Sequence, residues 1–380
     1  MYCCIVMMRE GVKVVKQTFI NIIKVASVYA GAILGAGFAS GQEILQFFMI
    51  YGKQSVYGIM VSTFLFCIIG VIVLNKIYHY NISSYTLYIV PLMGKKMGKI
   101  IEMLVCIFML TSFCVMVAGS GAIFQEELKM APKWGIVVMA VICLIVFCKD
   151  IKGVIIVNSI LAPIMMIGMI LMGSYILLFR VNAAISLGNV IHKMTFNWFS
   201  SSLIYVSYNT LTIVVVMTAL LPLLTKRCVA IWGGLLGGMS LGLIAFLLSI
   251  VMRMFYADIL SYEIPILQIM IKYGKTMEWI YVSILYGAMF TTAVASGYGF
   301  LNRITEWFHL NYKMCAVGLC IFSIPFASIG FVDLIKVVYP LFGHIGILII
   351  GIILADGLKG FAKTLIKVIK LHIFNLKNIE

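Results

Sequence analysis

Residues 30 to 43 read Ala30-Gly31-Ala32-Ile33-Leu34-Gly35-Ala36-Gly37-Phe38-Ala39-Ser40-Gly41-Gln42-Glu43. They lie inside the first long apolar segment, where an ordinary membrane-spanning helix would carry Leu, Ile and Val. Glycine loses more backbone entropy in a helix than any other residue, and it adopts backbone angles that other residues avoid. An interrupted helix at membrane depth leaves N–H and C=O groups free to bind a polar ligand. The stretch therefore predicts a binding site made of unwound backbone.

Helix packing is the alternative explanation for these glycines. Gly31 and Gly35, and likewise Gly37 and Gly41, are spaced as small-xxx-small pairs, which let two membrane helices approach closely. Close packing is the preferred explanation for Gly31 and Gly35 taken alone. The serine, glutamine and glutamate that follow are not needed for packing, and they favour a break in the helix.

The composition identifies the class of protein. The chain has 380 residues, of which 63% are hydrophobic and 11% are charged, whereas a soluble domain is about half apolar and about a quarter charged. The net charge of +15 does not indicate a nucleic-acid partner, because the basic residues lie in short loops between apolar runs. The ten cysteines are scattered without a CxxC motif and are interpreted as small hydrophobic residues. The sequence therefore predicts an integral membrane protein embedded in the lipid bilayer.

At about 20 residues per span, the sequence divides into ten predicted transmembrane segments. They cover roughly residues 18–50, 54–78, 100–124, 134–148, 154–179, 198–224, 230–252, 278–307, 313–330 and 334–354. The polar stretch 256–275 is predicted to be an external loop with short helices. The first segment is too long for one straight span, which fits an interrupted helix.

Three regions follow from these segments. Residues 1–17 are predicted to be a cytoplasmic N-terminal segment, 18–355 the transmembrane domain and 356–380 a basic cytoplasmic tail. Placing the N-terminus inside puts 19 Lys and Arg residues on the cytoplasmic side and eight on the other side. This excess predicts that both termini are cytoplasmic.

A second polar interruption occurs in the sixth segment, at Ser207-Tyr208-Asn209-Thr210. If the ten spans form two repeats of five, about 18–180 and 196–355, the sixth span corresponds to the first. An Asn at mid-depth needs a partner in hydrocarbon, which favours a break here. The stretch contains no glycine, and Ser and Thr often hydrogen-bond to their own helix. A continuous helix with a polar face is therefore the alternative.

Ten spans with interruptions in the first and sixth resemble the LeuT-type five-plus-five inverted repeat of the amino acid–polyamine–organocation (APC) superfamily. Gly35-Ala36-Gly37-Phe38 is similar to the Gly-Ser-Gly-Ile/Val-Phe signature in the first helix of its amino acid permeases. The longer string from Gly35 to Ile44 resembles the YkvI-type proteins of Gram-positive bacteria, a group assigned to these permeases. The resemblance implies an all-α fold with a LeuT-like 5+5 inverted repeat and interrupted helices 1 and 6.

The resemblance also implies a substrate site. In such folds, free amides at a half-helix N-terminus hold a substrate carboxylate. The corresponding amides here are those of Gly35, Ala36 and Gly37. In the sixth segment Ser207, Tyr208 and Asn209 are expected to meet the ammonium group and the side chain of the substrate.

A sodium ion is the coupling ion favoured by the resemblance. The sodium site of the family uses first-helix carbonyls together with one carbonyl and two hydroxyls of the eighth helix, spaced i, i+3 and i+4. Ala288, Thr291 and Thr292 match that spacing, with Gly31 and Leu34 as the first-helix partners. Oxygen ligands of this kind suit a hard cation. Self-satisfied Thr hydroxyls are the alternative, and no other cofactor is expected.

Proton coupling is the competing mechanism. Some sodium-independent members place a fifth-helix lysine at the cation position, but the run from Val154 to Phe179 contains no Lys or Arg. Glu43 and His344 are the remaining intramembrane titratable residues. Glu43 is expected to act in coupling or gating, as an outer gate, a proton carrier or an ammonium contact, with a structural hydrogen bond as the alternative. His344 is interpreted as a hydrogen-bonded packing residue.

The sequence thus predicts a secondary active transporter for an amino acid or similar small zwitterion, located in the bacterial cytoplasmic membrane. The alternative is a ligand-sensing receptor on the same fold, like the subunits of spore-germinant receptors. An enzyme is not expected, because the sequence contains no HExxH motif and no paired intramembrane carboxylates. The substrate, the direction of transport and the oligomeric state do not follow from the sequence.

Overall fold

The computed structural model describes residues 2–149, 151–179 and 197–377, which form helices joined by short connections. The first half contains α1 (Tyr2–Ile33), α2 (Ala36–Ser40), α3 (Gln42–Phe47), α4 (Ser55–Tyr80), α5 (Tyr85–Glu126), α6 (Pro132–Phe147) and α7 (Ile151–Leu178). The second half contains α8 (Trp198–Ala219), α9 (Arg227–Met254), α10 (Tyr256–Ile259), α11 (Pro265–Ile271), α12 (Lys275–Phe308), α13 (Tyr312–Ala327) and α14 (Phe331–Lys377). Two short 3-10 helices cover Met49–Gln54 and Leu221–Leu223.

Each of the ten predicted segments corresponds to helical structure. Among the described residues, α4, α5, α8, α9, α12 and the first part of α14 are long and apolar enough to cross a membrane. Shorter apolar helices occupy the fourth, fifth and ninth segments, as Pro132–Phe147, Pro163–Leu178 and Tyr312–Ala327. The first segment is the broken series α1 to α3, and the predicted external loop contains α10 and α11. The chain is therefore an all-α membrane protein.

Several helices extend past the predicted spans. The helix α1 begins at Tyr2, and α14 continues through the predicted tail to Lys377. The helix α5 begins at Tyr85 and contains a kink at Gly94, whose φ is 77°. Its first part, Tyr85 to Met93, is thus a separate short helix in front of the predicted third span. The predicted boundaries near residues 18 and 355 fall inside continuous helices.

The first helix is interrupted as predicted. The helix α1 ends at Ile33, and the Gly35 amide donates to the Ile33 carbonyl at 2.7 Å instead of continuing the α-helical pattern. A second interruption follows α2 at Gly41, which has a φ of 88°. Glycine adopts this left-handed conformation without steric cost, which explains its presence between α2 and α3.

The predicted interruption of the sixth span is wrong, because α8 is continuous through Ser207–Thr210. The Ser207 hydroxyl donates to the Leu203 carbonyl at 2.6 Å, and the Asn209 amide donates to the Tyr205 carbonyl at 3.0 Å. Thr210 bonds in the same way to Val206 at 2.7 Å. These polar side chains are therefore satisfied within their own helix. Without a glycine, nothing in this stretch favours non-helical backbone.

The helices pack in two four-helix units. One unit contains α1, α4, α8 and α9, the other contains α5, α6, α12 and α13, and α7 and α14 contact both. Helices at corresponding positions of the two halves pack against each other, as α4 with α9, α5 with α12 and α6 with α13. Likewise α1 packs on α7 in the first half as α8 packs on α14 in the second. This pairing is the contact pattern of the predicted five-plus-five repeat.

Small residues allow the close approach of α4, α9 and α1. A Cβ atom added to Gly234 would lie 2.6 Å from the backbone carbon of Gly70, so the two helices touch through their backbones. The Tyr29 ring of α1 lies against Gly70 and Gly237, and its hydroxyl donates to the Phe66 carbonyl at 2.8 Å. The unit that carries the broken helix is thus closely packed around α1.

Candidate functional site: a cavity beside the broken helix

The break between α1 and α2 leaves backbone groups unpaired. The Leu34 amide bonds to Ala30 and the Gly35 amide to Ile33, so the carbonyls of Gly31 and Ala32 receive no backbone donor. The first intrahelical bond of α2 runs from the Ala39 amide to the Gly35 carbonyl. The amides of Ala36, Gly37 and Phe38 therefore have no acceptor within α2. Free carbonyls and free amides thus lie within a few residues of each other.

Two side chains from distant parts of the sequence hold the broken segment, and a side chain of the segment itself makes a third contact. The Tyr281 hydroxyl of α12 donates to the Ala39 carbonyl at 2.7 Å, and the Ser201 hydroxyl of α8 donates to the Phe47 carbonyl at 2.8 Å. The Gln42 amide donates to the Tyr262 carbonyl at 2.9 Å. The segment from α2 to α3 is thereby attached to both four-helix units.

A cavity lies beside the break, at the interface of the two units. Its walls come from α1 and α8 on one side and from α5 and α12 on the other. The polar groups that line it are Gly31, Ser112, Thr212, Thr291, Thr292 and Ser296. The remaining lining residues are Val, Ala and Met, and no charged side chain is among them. The cavity extends from the break toward the face where α1 begins, which we call the N-terminal face.

Three of the five predicted cation ligands line this cavity. Gly31, Thr291 and Thr292 line it, whereas Leu34 and Ala288 are not part of its lining. Gly35 contacts Thr292 directly, since a Cβ on Gly35 would lie 3.3 Å from the Thr292 hydroxyl oxygen. This hydroxyl is buried without a hydrogen-bond partner, whereas Thr291 donates to the Ala288 carbonyl at 3.0 Å. An unpaired hydroxyl beside free carbonyls fits the oxygen ligands of a hard monovalent cation.

The predicted substrate residues of α8 do not line the cavity. Ser207 faces α14, where a Cβ on Gly346 would lie 2.5 Å from the Ser207 carbonyl oxygen. Tyr208 stacks on Tyr339 of α14 with ring centroids 4.5 Å apart. The part of α8 that reaches the cavity lies further along the helix and begins at Thr212. Gly35 lies next to the cavity through its contact with Thr292, and Ala36 and Gly37 follow it directly in the chain.

Sequence reasoning missed Thr212 and Ser296 as cavity residues. Ser296 could have been found, because it lies four residues after Thr292 and therefore on the same face of α12. Thr212 is likewise about one helical turn from Asn209, but the wrongly predicted break in α8 favoured Ser207, Tyr208 and Asn209 as site residues instead. Ser112 of α5 also lines the cavity.

Glu43 lies on the other side of the break, away from the cavity. Its side chain is 3% exposed and folds back onto Gly37, where an added Cβ would lie 2.8 Å from the Glu43 Cγ. The carboxyl group faces the hydroxyls of Tyr205 and Tyr208. None of the ion pairs found among the described residues includes Glu43. The predicted gating residue is thus in contact with the predicted amide site.

Two further polar residues lie outside the cavity lining. His344 is exposed, and its Nδ1 lies 2.6 Å from the Pro340 carbonyl oxygen, so it is hydrogen-bonded as expected but is not buried in a packing interface. Thr111, next to Ser112, donates to the Ile107 and Phe108 carbonyls of its own helix.

Charged residues hold the helix ends at both faces. At the N-terminal face, the buried Arg303 of α12 pairs with Glu102 of α5 and also bonds Tyr85 and Thr86. At the opposite face, the Glu126 carboxylate accepts the Glu263 amide at 2.7 Å. Burial, together with a hydrogen bond to Glu278, raises the pKa of Glu127 to about 7. These contacts connect α5 with α12 at both ends of the cavity.

Comparison with known proteins places the chain in a family. It is 30% identical over 336 residues to the uncharacterized membrane protein YkvI of Bacillus subtilis, a match that covers 87% of this chain and 94% of YkvI. The chain belongs to the YkvI family of membrane proteins. Another relative of this YkvI-family chain is the uncharacterized protein YyaD of the same bacterium, which is 27% identical over 83% of this chain and 91% of YyaD. No family model matches the sequence.

Solved structures similar to this YkvI-family chain are membrane transporters. The transporter MHP1 of the nucleobase–cation symport-1 family, in a closed conformation with bromovinylhydantoin bound, matches 80% of this chain and 70% of its own chain. The TM-score is 0.55 at 14% identity. The manganese transporter of Eremococcus coleocola matches 88% of this chain and 77% of its own, with a TM-score of 0.55 at 11% identity. At such low identity the likeness shows the fold, which is the LeuT-type fold expected from the sequence.

Proposed function

We propose that this YkvI-family protein is a secondary active transporter that moves an amino acid or a similar small zwitterion by alternating access. The observation that carries the proposal is the cavity at the interface of two four-helix units, which ends at a broken helix. Relative movement of two packed units can open such an interface to one face and then to the other. A site between moving units is the arrangement that alternating access requires.

The substrate carboxylate is proposed to bind at the free amides of Ala36 and Gly37, with Gly35 at the turn before them. Tyr208 is proposed to meet the ammonium group in a state in which α3 and α8 have separated, because its hydroxyl here faces the Glu43 carboxyl group and its ring is enclosed by Phe47 and Tyr339. Ser207 and Asn209 would first have to release their own-helix bonds, so their part in binding requires movement of α8. An apolar wall of Val, Ala and Met suits an uncharged substrate side chain.

Sodium is proposed as the coupling ion, bound between the break and α12. Thr292 contributes the unpaired hydroxyl, and Gly31 contributes a free carbonyl that lines the same cavity. Thr291, Ala288 and Leu34 complete the proposed set of oxygen ligands. Thr291 and Ala288 bond to each other here and would turn toward the ion when it binds. The transport cycle would then require sodium to hold the two sides of the interface together.

Both termini are proposed to be cytoplasmic in the bacterial membrane, on the basis of the excess of Lys and Arg on that side. With this orientation the N-terminal face is the inner face. The cavity would then reach toward the cytoplasm, and the segment from α2 to α3 would close the outer side. The structure would accordingly represent an inward-facing or inward-occluded state.

Uptake into proteoliposomes tests the proposal. Purified protein is supplied with a panel of labelled amino acids under an imposed sodium gradient, an imposed proton gradient or neither. Sodium-driven accumulation of a zwitterionic amino acid is the expected result. Binding without accumulation under either gradient would instead identify a ligand-sensing receptor, which is the second candidate on this fold. Detection of binding and uptake on one preparation separates the two.

A further inference from the structure

We infer that Glu43, Tyr205 and Tyr208 form a proton-binding site that is separate from the proposed sodium site and lies on the opposite side of the break. The inference deepens the proposed function, since it adds a second ion to the same transporter. Contact between Glu43 and Gly37 brings an acidic side chain against the amides of the proposed substrate site.

Three polar atoms at this position have no hydrogen-bond partner. They are Oε2 of Glu43 and the hydroxyl oxygens of Tyr205 and Tyr208, all of them buried. The Glu43 carboxyl group faces both hydroxyls. Buried polar groups are normally paired, and each unpaired group costs about 1–3 kcal/mol. Both hydroxyls can donate to the carboxyl group that they face, so this cluster can hold Glu43 either protonated or ionised, and the surrounding charge decides between the two.

The charge of the site must also be balanced. An ionised carboxylate buried without a partner is strongly unfavourable in a protein interior. The titratable groups that face Glu43 are Tyr205 and Tyr208 of α8 and Tyr339 of α14, and none of them carries a positive charge. Arg253 of α9 lies on a helix that also packs on α3, but its guanidinium bonds the Gly52 carbonyl and the Ser55 hydroxyl. A bound positive charge is thus required when the carboxyl group is ionised.

The space around Glu43 selects the proton among positive charges. The rings of Tyr205 and Tyr208 are at most 2% exposed, and Phe47 packs against both at centroid distances of 5.5 and 5.6 Å. Tyr339 covers the other face of Tyr208 at 4.5 Å. Glu43 lines neither the central cavity nor the small apolar cavity beside Tyr205. A proton needs no volume, whereas a metal ion or an organic ammonium group would need the rings to separate.

The position of Glu43 links the proton to the broken helix. Glu43 lies in α3, Gly37 lies in α2, and Gly41 between them is in the left-handed conformation. With the proton bound, the carboxyl group is neutral and α3 remains packed on α8. When the proton leaves for the outer solution, Glu43 becomes an anion that must gain water, and α3 separates from Tyr205 and Tyr208. The proton would thereby control closure of the outer side.

Infrared difference spectroscopy reads this proton directly. Membranes containing the wild type, Glu43→Gln or the control Asp333→Asn are compared at pH 7, since Asp333 is an exposed carboxylate at the start of α14. Protonated Glu127 contributes a C=O stretching band to all three samples at this pH. A further band of a protonated carboxyl group should be lost in Glu43→Gln and kept in Asp333→Asn. If the wild type and Glu43→Gln show the same protonated band, the inference is overturned.

A second variant covers the case in which Glu43→Gln does not fold. Tyr208→Phe keeps the ring that stacks on Tyr339 and removes only the hydroxyl group. The protonated band should shift in position, because the hydroxyl no longer contacts the carboxyl group, and an unshifted band would contradict the site. These spectra need no transport. If the expected band changes are not seen, the proton site is contradicted and the proposed transporter is not. If the band changes are seen but no uptake is detected, the proposed transporter is contradicted and the proton site is not.

Discussion

Single residues decide whether the broken helix can form, and Gly37 is the most sensitive of them. A Cβ at this position would overlap the Glu43 side chain, whose carboxyl carbon would lie 2.9 Å away. We predict that Gly37→Ala destabilises the protein by about 1–3 kcal/mol, the usual cost of overpacking. Gly318→Ala is the matched control, since a Cβ there meets nothing within 4 Å. It should instead stabilise α13 by about 0.5–1 kcal/mol.

Thermal unfolding in detergent measures both glycine variants. The melting temperature should fall in Gly37→Ala and rise slightly in Gly318→Ala. Equal shifts in the two variants would mean that Glu43 does not pack against Gly37.

Glu127 predicts a pH dependence at the face opposite the N-terminal face. Its pKa of about 7 is raised from 4.5 by burial and by the hydrogen bond to Glu278. Between about pH 4.5 and 7 the folded protein therefore holds a proton that the unfolded chain releases. The stability that Glu127 contributes is complete below about pH 4.5 and is lost as the pH rises through about 7. The melting temperature of wild type should fall between pH 5 and pH 8, and Glu127→Gln should show a smaller fall. Asp333→Asn should keep the wild-type slope.

At the scale of elements, α8 and the first helix behave differently although both carry polar residues at mid-depth. Gly35 and Gly41 occupy positions where the backbone leaves the helix, so the sequence was sufficient to locate this break. Ser207, Asn209 and Thr210 show no such constraint, because each bonds to its own helix. The sequence could not distinguish a polar helix from a broken one here, since the same residue types occur in both.

Hydrogen exchange tests this difference between the elements. Amides of Ala36 to Phe38 lack helical acceptors and should exchange quickly, while those of Ser207 to Leu211 should be protected like the rest of α8. Rapid exchange at Ser207 to Leu211 would restore the interrupted sixth helix that the sequence suggested.

The ion pair between α5 and α12 is a second element-scale feature. Arg303 and Glu102 are both 7% exposed, and Arg303 also holds the short helix Tyr85–Met93 through Tyr85 and Thr86. Removal of one partner from a buried pair costs about 3–5 kcal/mol when the other charge stays buried without a partner. Arg303 keeps a second carboxylate in Glu306, but that side chain is largely exposed and compensates only in part. We predict a large fall in melting temperature for Glu102→Gln. Lys272→Gln, which breaks the exposed pair with Asp258, should change stability by about 0–1 kcal/mol.

At the scale of the whole molecule, much of the architecture was available from the sequence. Hydrophobic length located the ten segments, and the spacing of Ala288, Thr291 and Thr292 placed a polar face on α12 that does reach the cavity through the two threonines. The residues that form the walls of the cavity were harder to predict from the sequence. The packing of the two units decides which face of α8 meets α12. This packing depends on contacts between residues far apart in sequence, such as Ser207 and Gly346.

The two-unit arrangement also gives the polar residues their distinct places. The Thr292 hydroxyl lies at the cavity on one side of the break and contacts Gly35. The Glu43 carboxyl group lies on the other side and contacts Gly37. A cation and a proton bound on the two sides would act on one short piece of backbone. The direction of net transport would then depend on both gradients.

Sodium-dependent uptake by two matched variants tests the central claim most directly. Thr292→Val removes the unpaired hydroxyl at the cavity and keeps the shape of the side chain. Thr305→Val removes a hydroxyl of the same helix that bonds only its own helix, at the Leu301 and Asn302 carbonyls. If the cavity beside the broken helix is the coupling site, sodium-driven uptake is lost in Thr292→Val and retained in Thr305→Val. Equal sodium dependence in both variants would contradict this account.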